Sequence, residues 1–160
     1  MSLLGYHVPL LRSIPEELGL APVGAVAQRP GVADVCRITV HYYDRRACDS
    51  VATVINSRTS GASLETVYRR ALGHKPLTHP LTEARYRAFF LALRAAGFDK
   101  LVDQDGLPAY DSTDVWMIER AAGTFIRSVV VAPTIVHSAP HKALLTAVQT
   151  HLPEALRMVK

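Results

Sequence analysis

Four aspartates, Asp103, Asp105, Asp111 and Asp114, fall within twelve positions and form the densest group of potential cation ligands in the chain. Asp103-Gln104-Asp105-Gly106 opens like a calcium loop. That loop needs a glycine at its sixth position and a ligand at its fifth. Here glycine comes fourth and Leu107 fifth. Aspartates also favour turns and strand entrances, because their short carboxylates bond nearby backbone N–H groups. The segment therefore reads as a solvated loop. The histidines pair as His74 with His79 and His137 with His141. Zinc would require the two loops to meet, and a proline interrupts each pair, which removes the rigid helical spacing of a zinc helix. No metal and no cofactor are expected.

Nucleophilic chemistry has little to work with. The chain lacks a Gly-x-Ser-x-Gly elbow, a phosphate-binding glycine loop and a His-Glu-x-x-His helix. Cys48 lies near Arg45-Arg46, which would favour a reactive thiolate, but it adjoins Asp49, which opposes that. Cys36 and Cys48 fall on strand-like stretches out of register with each other, so both read as small buried hydrophobes rather than a disulfide. A small metal-dependent enzyme is accordingly an alternative reading, not the leading one.

One row of residues is suited to binding. In 35–43 the residues Cys36, Ile38, Val40 and Tyr42 alternate with Arg37, Thr39, His41 and Tyr43, the period of a half-buried strand. With Arg45 and Arg46 at the following turn, the outward row Arg37, His41 and Tyr43 would offer charge and a stacking ring to single-stranded nucleic acid. Any solvent-facing strand looks similar, so nucleic acid is an alternative, ranked ahead of the enzyme.

The totals set the frame for these residues. A chain of 160 residues suits one domain, and its 49% hydrophobic and 20% charged content is that of a globular chain rather than a disordered one. The net charge of +4 permits an acidic partner without requiring one. No apolar run is long enough for a membrane helix, and the N-terminus does not read as a signal peptide, so a cytoplasmic protein is expected.

The elements follow from periodicity and punctuation. Residues 1–33 hold Pro9, Pro15, Pro22 and Pro30 yet remain apolar, which suggests an arm lying on the body of a single domain over 34–160. Ser13 would cap a short helix there, ending near Gly19. The strand at 35–43 and another at 48–55 make a first hairpin. Ser63 would cap a helix with Leu64, Val67, Tyr68, Ala71 and Leu72 at helical spacing, ended by Gly73. Pro76 and Pro80 make 74–81 a loop. Thr82 opens the strongest helix, with an apolar stripe of Tyr86, Phe89, Phe90 and Leu93 and a glycine cap at Gly97. A second hairpin spans 115–131, and a last helix runs from about Pro140 to His151, with Ala143, Leu144, Ala147 and Val148 facing inward.

These elements predict an α+β fold, an antiparallel sheet of two hairpins with helices packed on one face. The second hairpin is apolar on both sides: Val115, Trp116, Met117 and Ile118 run together, as do Val129, Val130 and Val131. A sheet open to water on one side should alternate. Its second face therefore needs a cover, either the N-terminal arm or another subunit.

Ala96-Gly97-Phe98 with Leu101, Asp114 ahead of Trp116, and Gly123 in the second turn are similar to the pattern of small bacterial α+β domains of unknown function. The likeness covers about residues 35–152. It implies a strand-strand-helix-strand-strand-helix order and carries no active site. Taken together, the residues point to a non-catalytic protein-interaction domain that self-associates, most simply as a homodimer. Arg37, His41, Tyr43, Arg45 and Arg46 are its candidate binding residues.

Overall fold

The computed structural model describes residues 4–109 and 112–156. Asp111 of the aspartate loop lies outside the described residues. Six antiparallel strands form one sheet: β1 (Val32–His41), β2 (Ser50–Ser57), β3 (Gly61–Tyr68), β4 (Leu77–Pro80), β5 (Val115–Ala122) and β6 (Phe125–Val131). Their spatial order is β4-β3-β2-β1-β5-β6, so β1 is central. Among the described residues four α-helices accompany it: α1 (Leu4–Glu17), α2 (Val23–Ala27), α3 (Glu83–Ala95) and α4 (Ala139–His151). The α+β class is as expected, and both anticipated hairpins are present as β1–β2 and β5–β6.

The sheet is larger than two hairpins. The residues read as a helix from Ser63 to Gly73 begin instead as β3. Leu64, Val67 and Tyr68 fit helical spacing, but the same stretch alternates, with Leu64, Thr66 and Tyr68 on one face and Glu65 and Val67 on the other. β2 selects the strand by pairing along its whole length, from Ser57↔Gly61 to Ser50↔Tyr68. The supposed loop at 74–81 contains β4, a four-residue edge strand. Its closing Pro80 is tolerated because an edge strand has a side with no ladder to break.

Helices lie on both faces, not one. On the first face α3 and α4 bury Phe89, Leu93, Leu144 and Val148 against Ile38, Val40, Val54, Leu64, Trp116 and Ile118. Thr82 caps α3 by accepting from the Arg85 N–H (3.1 Å), and Gly97, at φ 73°, ends it in the left-handed region that favours glycine. Phe98 then folds back into the core. Ala143 is exposed, unlike the three inward residues Leu144, Ala147 and Val148 around it.

The N-terminal arm covers the second face. α1 spans fourteen residues rather than a short turn after Ser13. Ser13 does not cap it, since its hydroxyl donates back to the Leu10 carbonyl at 2.6 Å. Pro9 and Pro15 sit inside the helix. Their lost hydrogen bonds are offset by burial of Leu11 and Ile14 against Val51, Val115, Met117 and Val130. α2 places Val23, Val26 and Ala27 on Val35 and Ala121. Gly24 lets it approach β6, because a Cβ there would stand 2.7 Å from Ile126 Cδ1. The doubly apolar hairpin thus finds both its covers within the chain.

The aspartate loop covers part of the sheet's β6 edge. Asp103 Oδ1 accepts from the Val130 N–H at 2.7 Å, and Gln104 Oε1 accepts from the Ala132 N–H at 2.9 Å. The Gln104 N–H donates to the Val130 carbonyl at 2.9 Å. These bonds satisfy the outward groups of the second half of β6, which would otherwise invite another strand.

Candidate functional site

β1 carries a concave site at each end. At its start, Ala33 and Asp34 form the floor of a cleft of about 940 Å3. The β2–β3 turn with Arg58 makes one wall, and Tyr86, Arg87, Phe90 and Arg94 on α3 make the other. Asp34, buried, accepts from the Tyr86 hydroxyl at 2.8 Å. Its other oxygen faces Arg120 Nε at 3.4 Å, without the geometry of a hydrogen bond. Burial pushes the Asp34 carboxyl above its ordinary 3.8, against the Tyr86 hydrogen bond and the Arg120 charge, which pull it down. Burial and the Asp34 charge together push the Tyr86 phenol up.

Arg120 is held from three sides. Its guanidinium lies 4.7 Å from the Phe90 ring centre and 5.4 Å from that of Phe125, and donates to Asp99 at 2.9 Å. Tyr86 and Phe90 stack with centres 6.1 Å apart. Arg87 pairs with Glu83 on the exposed side of α3. Arg58 and Arg94, both exposed, make no ion pair among the described residues. Arg94 rests 6.0 Å from the Phe90 ring. The cleft therefore combines an apolar and aromatic wall with two guanidinia not neutralised by any described carboxylate.

The far end of β1 opens into a smaller pocket of about 500 Å3, between the β1–β2 connection and the segment after β3. His41 Nδ1 meets Asp49 Oδ2 at 3.0 Å. The same carboxylate accepts from the Tyr42 N–H at 3.0 Å and from Arg69 Nη1 at 3.3 Å. Burial acts to raise the Asp49 pKa, but the hydrogen bonds from His41 and Tyr42 outweigh it and hold the carboxyl below 3.8. Arg46 is fixed over the Tyr42 ring and bonded to Asp44 and Asp114.

The five residues chosen from the sequence separate. His41, Arg45 and Arg46 line this second pocket. Tyr43 is 43% exposed, and its N–H donates to Asp114. Arg37 is only 3% exposed and lies beneath the arm. It donates to the Thr53 hydroxyl at 3.1 Å and to the Ala21 carbonyl at 2.8 Å, and stands opposite Glu119 on β5. Thr39 is fully buried. Half the outward row is therefore buried, with Arg37 fastening the arm, and is not an open platform. Asp34, Tyr86, Arg94 and Arg120 carried no sequence signal as a group. Arg69 and Arg70 stand in the sequence as an adjacent basic pair and nothing more.

The remaining candidates are engaged singly. His79 Nε2 meets Thr66 Oγ1 at 3.0 Å, and the Arg70 N–H donates to His74 Nε2 at 2.9 Å. His141, buried, meets the Val102 carbonyl at 2.8 Å. His137 is exposed. Among the described residues no three His, Cys, Asp or Glu side chains gather as a metal site requires. Cys36 is buried, and burial raises its thiol pKa well above the ordinary value. Cys48 is half-buried, and neither cysteine is in a disulfide.

No protein-family model matches the chain. No curated protein matches it either. No helix among the described residues is long and apolar enough to cross a membrane.

Proposed function

We propose that the protein is a non-catalytic interaction domain that takes an acidic, partly aromatic segment of another protein into the cleft between α3 and the β2–β3 turn. One observation carries this reading: Arg58 and Arg94 stand exposed on opposite walls of that cleft with no ion pair among the described residues, beside the Tyr86–Phe90 stack. Arginine and aromatic side chains together are the usual anchors of a protein interface. The cleft is half open, which suits a peptide segment better than an enclosed small molecule. Two unpaired cysteines suit a reducing, cytoplasmic setting.

The test is fluorescence anisotropy with labelled peptides rich in Glu and bearing one Phe. Binding in the micromolar range is expected, about −8 kcal/mol, with loss of at least tenfold on Arg58→Glu with Arg94→Glu. Equal affinity for a lysine-rich peptide would refute the reading.

Self-association is the second reading, on new ground. The apolar hairpin no longer asks for a partner subunit, since α1 covers it. The first half of β6 still does. Outward-pointing backbone groups alternate along an edge strand, and Val130 is an outward residue, so Ile126 and Ser128 are outward too. No cap of the kind made by Asp103 and Gln104 reaches them among the described residues. Ile126 is 60% exposed and Phe125 38%. A homodimer would pair these edges. Light scattering at tens of micromolar, an order-of-magnitude range for weak association, should then show a dimer that Ile126→Lys abolishes. A monomer under those conditions would end this second reading.

A further inference from the structure

We propose that the pocket at the far end of β1 is a separate binding site for a small, doubly charged oxyanion, of the phosphate or phosphomonoester class, held by Arg45 and Arg70. The proposal does not depend on the cleft at the other end of the sheet.

The charges in this pocket divide into two kinds. Arg69 is committed: its Nη2 pairs with Glu17 of α1 at 2.6 Å and its Nη1 with Asp49. Arg46 is committed to Asp44 and Asp114. These two build the wall. Arg45 and Arg70 line the same pocket, are exposed, and make no ion pair among the described residues. Asp49 is the only carboxylate among the lining residues, and it is already shared by His41, Tyr42 and Arg69. Arg45 and Arg70 therefore line one concavity with no ion-pair partner of their own among the described residues. A guanidinium offers a planar fork of donors that matches a phosphate edge. Two of them call for an anion of two charges, which a phosphate monoester carries near neutral pH and a single carboxylate does not.

The backbone gives an independent reason to single out these two side chains. Only four non-glycine residues of the described chain have positive φ: Arg45 (57°), Arg70 (61°), Leu72 (55°) and His74 (57°). All four lie in the two connections at this end of the sheet, and the two arginines are the pair that face the pocket. Glycine or asparagine would take that conformation with less strain. Strained positions of this kind concentrate at ligand sites, where the side chain justifies the conformation. Both connections are also tied down, Arg70 N–H to His74 Nε2 and Arg69 N–H to the Asp49 carbonyl at 2.8 Å, so the donors are presented on a fixed frame.

Inorganic phosphate titrated into the full chain at constant ionic strength, followed by amide NMR, tests this. Saturable shifts are expected at residues 45–49 and 69–74, with a dissociation constant on the order of 1 mM or tighter. Arg45→Gly with Arg70→Gly should weaken binding at least tenfold. The same variant should melt no lower than the parent without phosphate, because glycine relieves both strained positions. Arg45→Gln with Arg70→Gln removes the charge but keeps the strain, and should lose binding to the same extent. Unchanged phosphate affinity in these variants would overturn the proposal, as would shifts that never saturate. A thymidine dodecamer that binds at this pocket more than tenfold tighter than phosphate would also overturn it, reassigning the pocket to a polynucleotide backbone.

Discussion

Asp34 and Asp49 occupy comparable places at opposite ends of one sheet, and they are held in opposite ways. Each is a largely buried carboxylate beside an arginine. Asp49 accepts from His41, Arg69 and a backbone N–H, and its pKa falls below the ordinary value. Asp34 accepts from the Tyr86 hydroxyl, and its other oxygen faces Arg120 Nε at 3.4 Å without the geometry of a hydrogen bond. Its pKa rises. A saturated carboxylate is a structural post. An under-satisfied one at the floor of a cleft is destabilised in its charged form, which is a common price of keeping a binding surface open. The difference teaches that the second pocket is framed around a saturated carboxylate, while the cleft's floor carries one whose charged form burial disfavours.

Removing the better-held carboxylate should have the largest effect. Asp49→Ala strands His41, Arg69 and the Tyr42 N–H at once, and should cost about 3 kcal/mol in urea denaturation near neutral pH. The pH dependence follows from the lowered pKa. The stabilisation from Asp49 is present above the unfolded carboxylate value and is lost as pH falls through the lower folded value. A variant that loses less than about 0.5 kcal/mol would show that the post carries no load.

Asp34→Asn should act in the opposite direction. The amide oxygen still accepts from Tyr86, and a charge that burial disfavours is gone. A gain of about 1 kcal/mol at pH 7 is expected, the scale of one buried polar contact. Because the folded pKa of Asp34 is raised, its protonated form is the better tolerated one in the fold. The parent's deficit should therefore shrink as pH falls through the folded value and vanish below the ordinary 3.8. Thermal melts of both proteins between pH 3 and 7, a window spanning about 3.9 for free aspartate, would check it. A loss of stability at pH 7 would contradict the contrast.

The arginines should move stability least. Arg58→Ser with Arg94→Ser should change it by no more than about 0.5 kcal/mol, as expected for exposed residues without ion pairs. The same change should leave phosphate binding at the far pocket intact. Any coupling between the ends would show that β1 transmits one site's state to the other.

Much of the scaffold was legible because it is local. The alternation in 35–43, the Thr82 and Gly97 caps around α3, and the demand of the 115–131 hairpin for two covers all rest on residues close in sequence. The helix read at 63–73 failed for a physical reason. Leu64 and Tyr68, four positions apart, satisfy both periods, and only pairing with β2 decides between them. Arg37 looked solvent-facing because charge on an alternating strand ordinarily is. Its burial depends on Glu119 across the sheet and on the Ala21 carbonyl in the arm, neither visible in a local window. The cleft was hidden for the same reason: Tyr86 is 52 positions from the Asp34 it bonds. Of the second pocket, His41, Arg45 and Arg46 were visible, and the Arg69-Arg70 pair lacked only its place in space.

The central claim is that the two ends of β1 serve different ligands. Amide chemical-shift mapping with a Glu-rich, Phe-bearing peptide and then with inorganic phosphate tests it most directly. The account predicts that the peptide moves residues of α3 and the β2–β3 turn, from Arg58 to Arg94, while phosphate moves the segments around Arg45 and Arg70. Both ligands shifting the same residues, or each shifting the other's set, would contradict it.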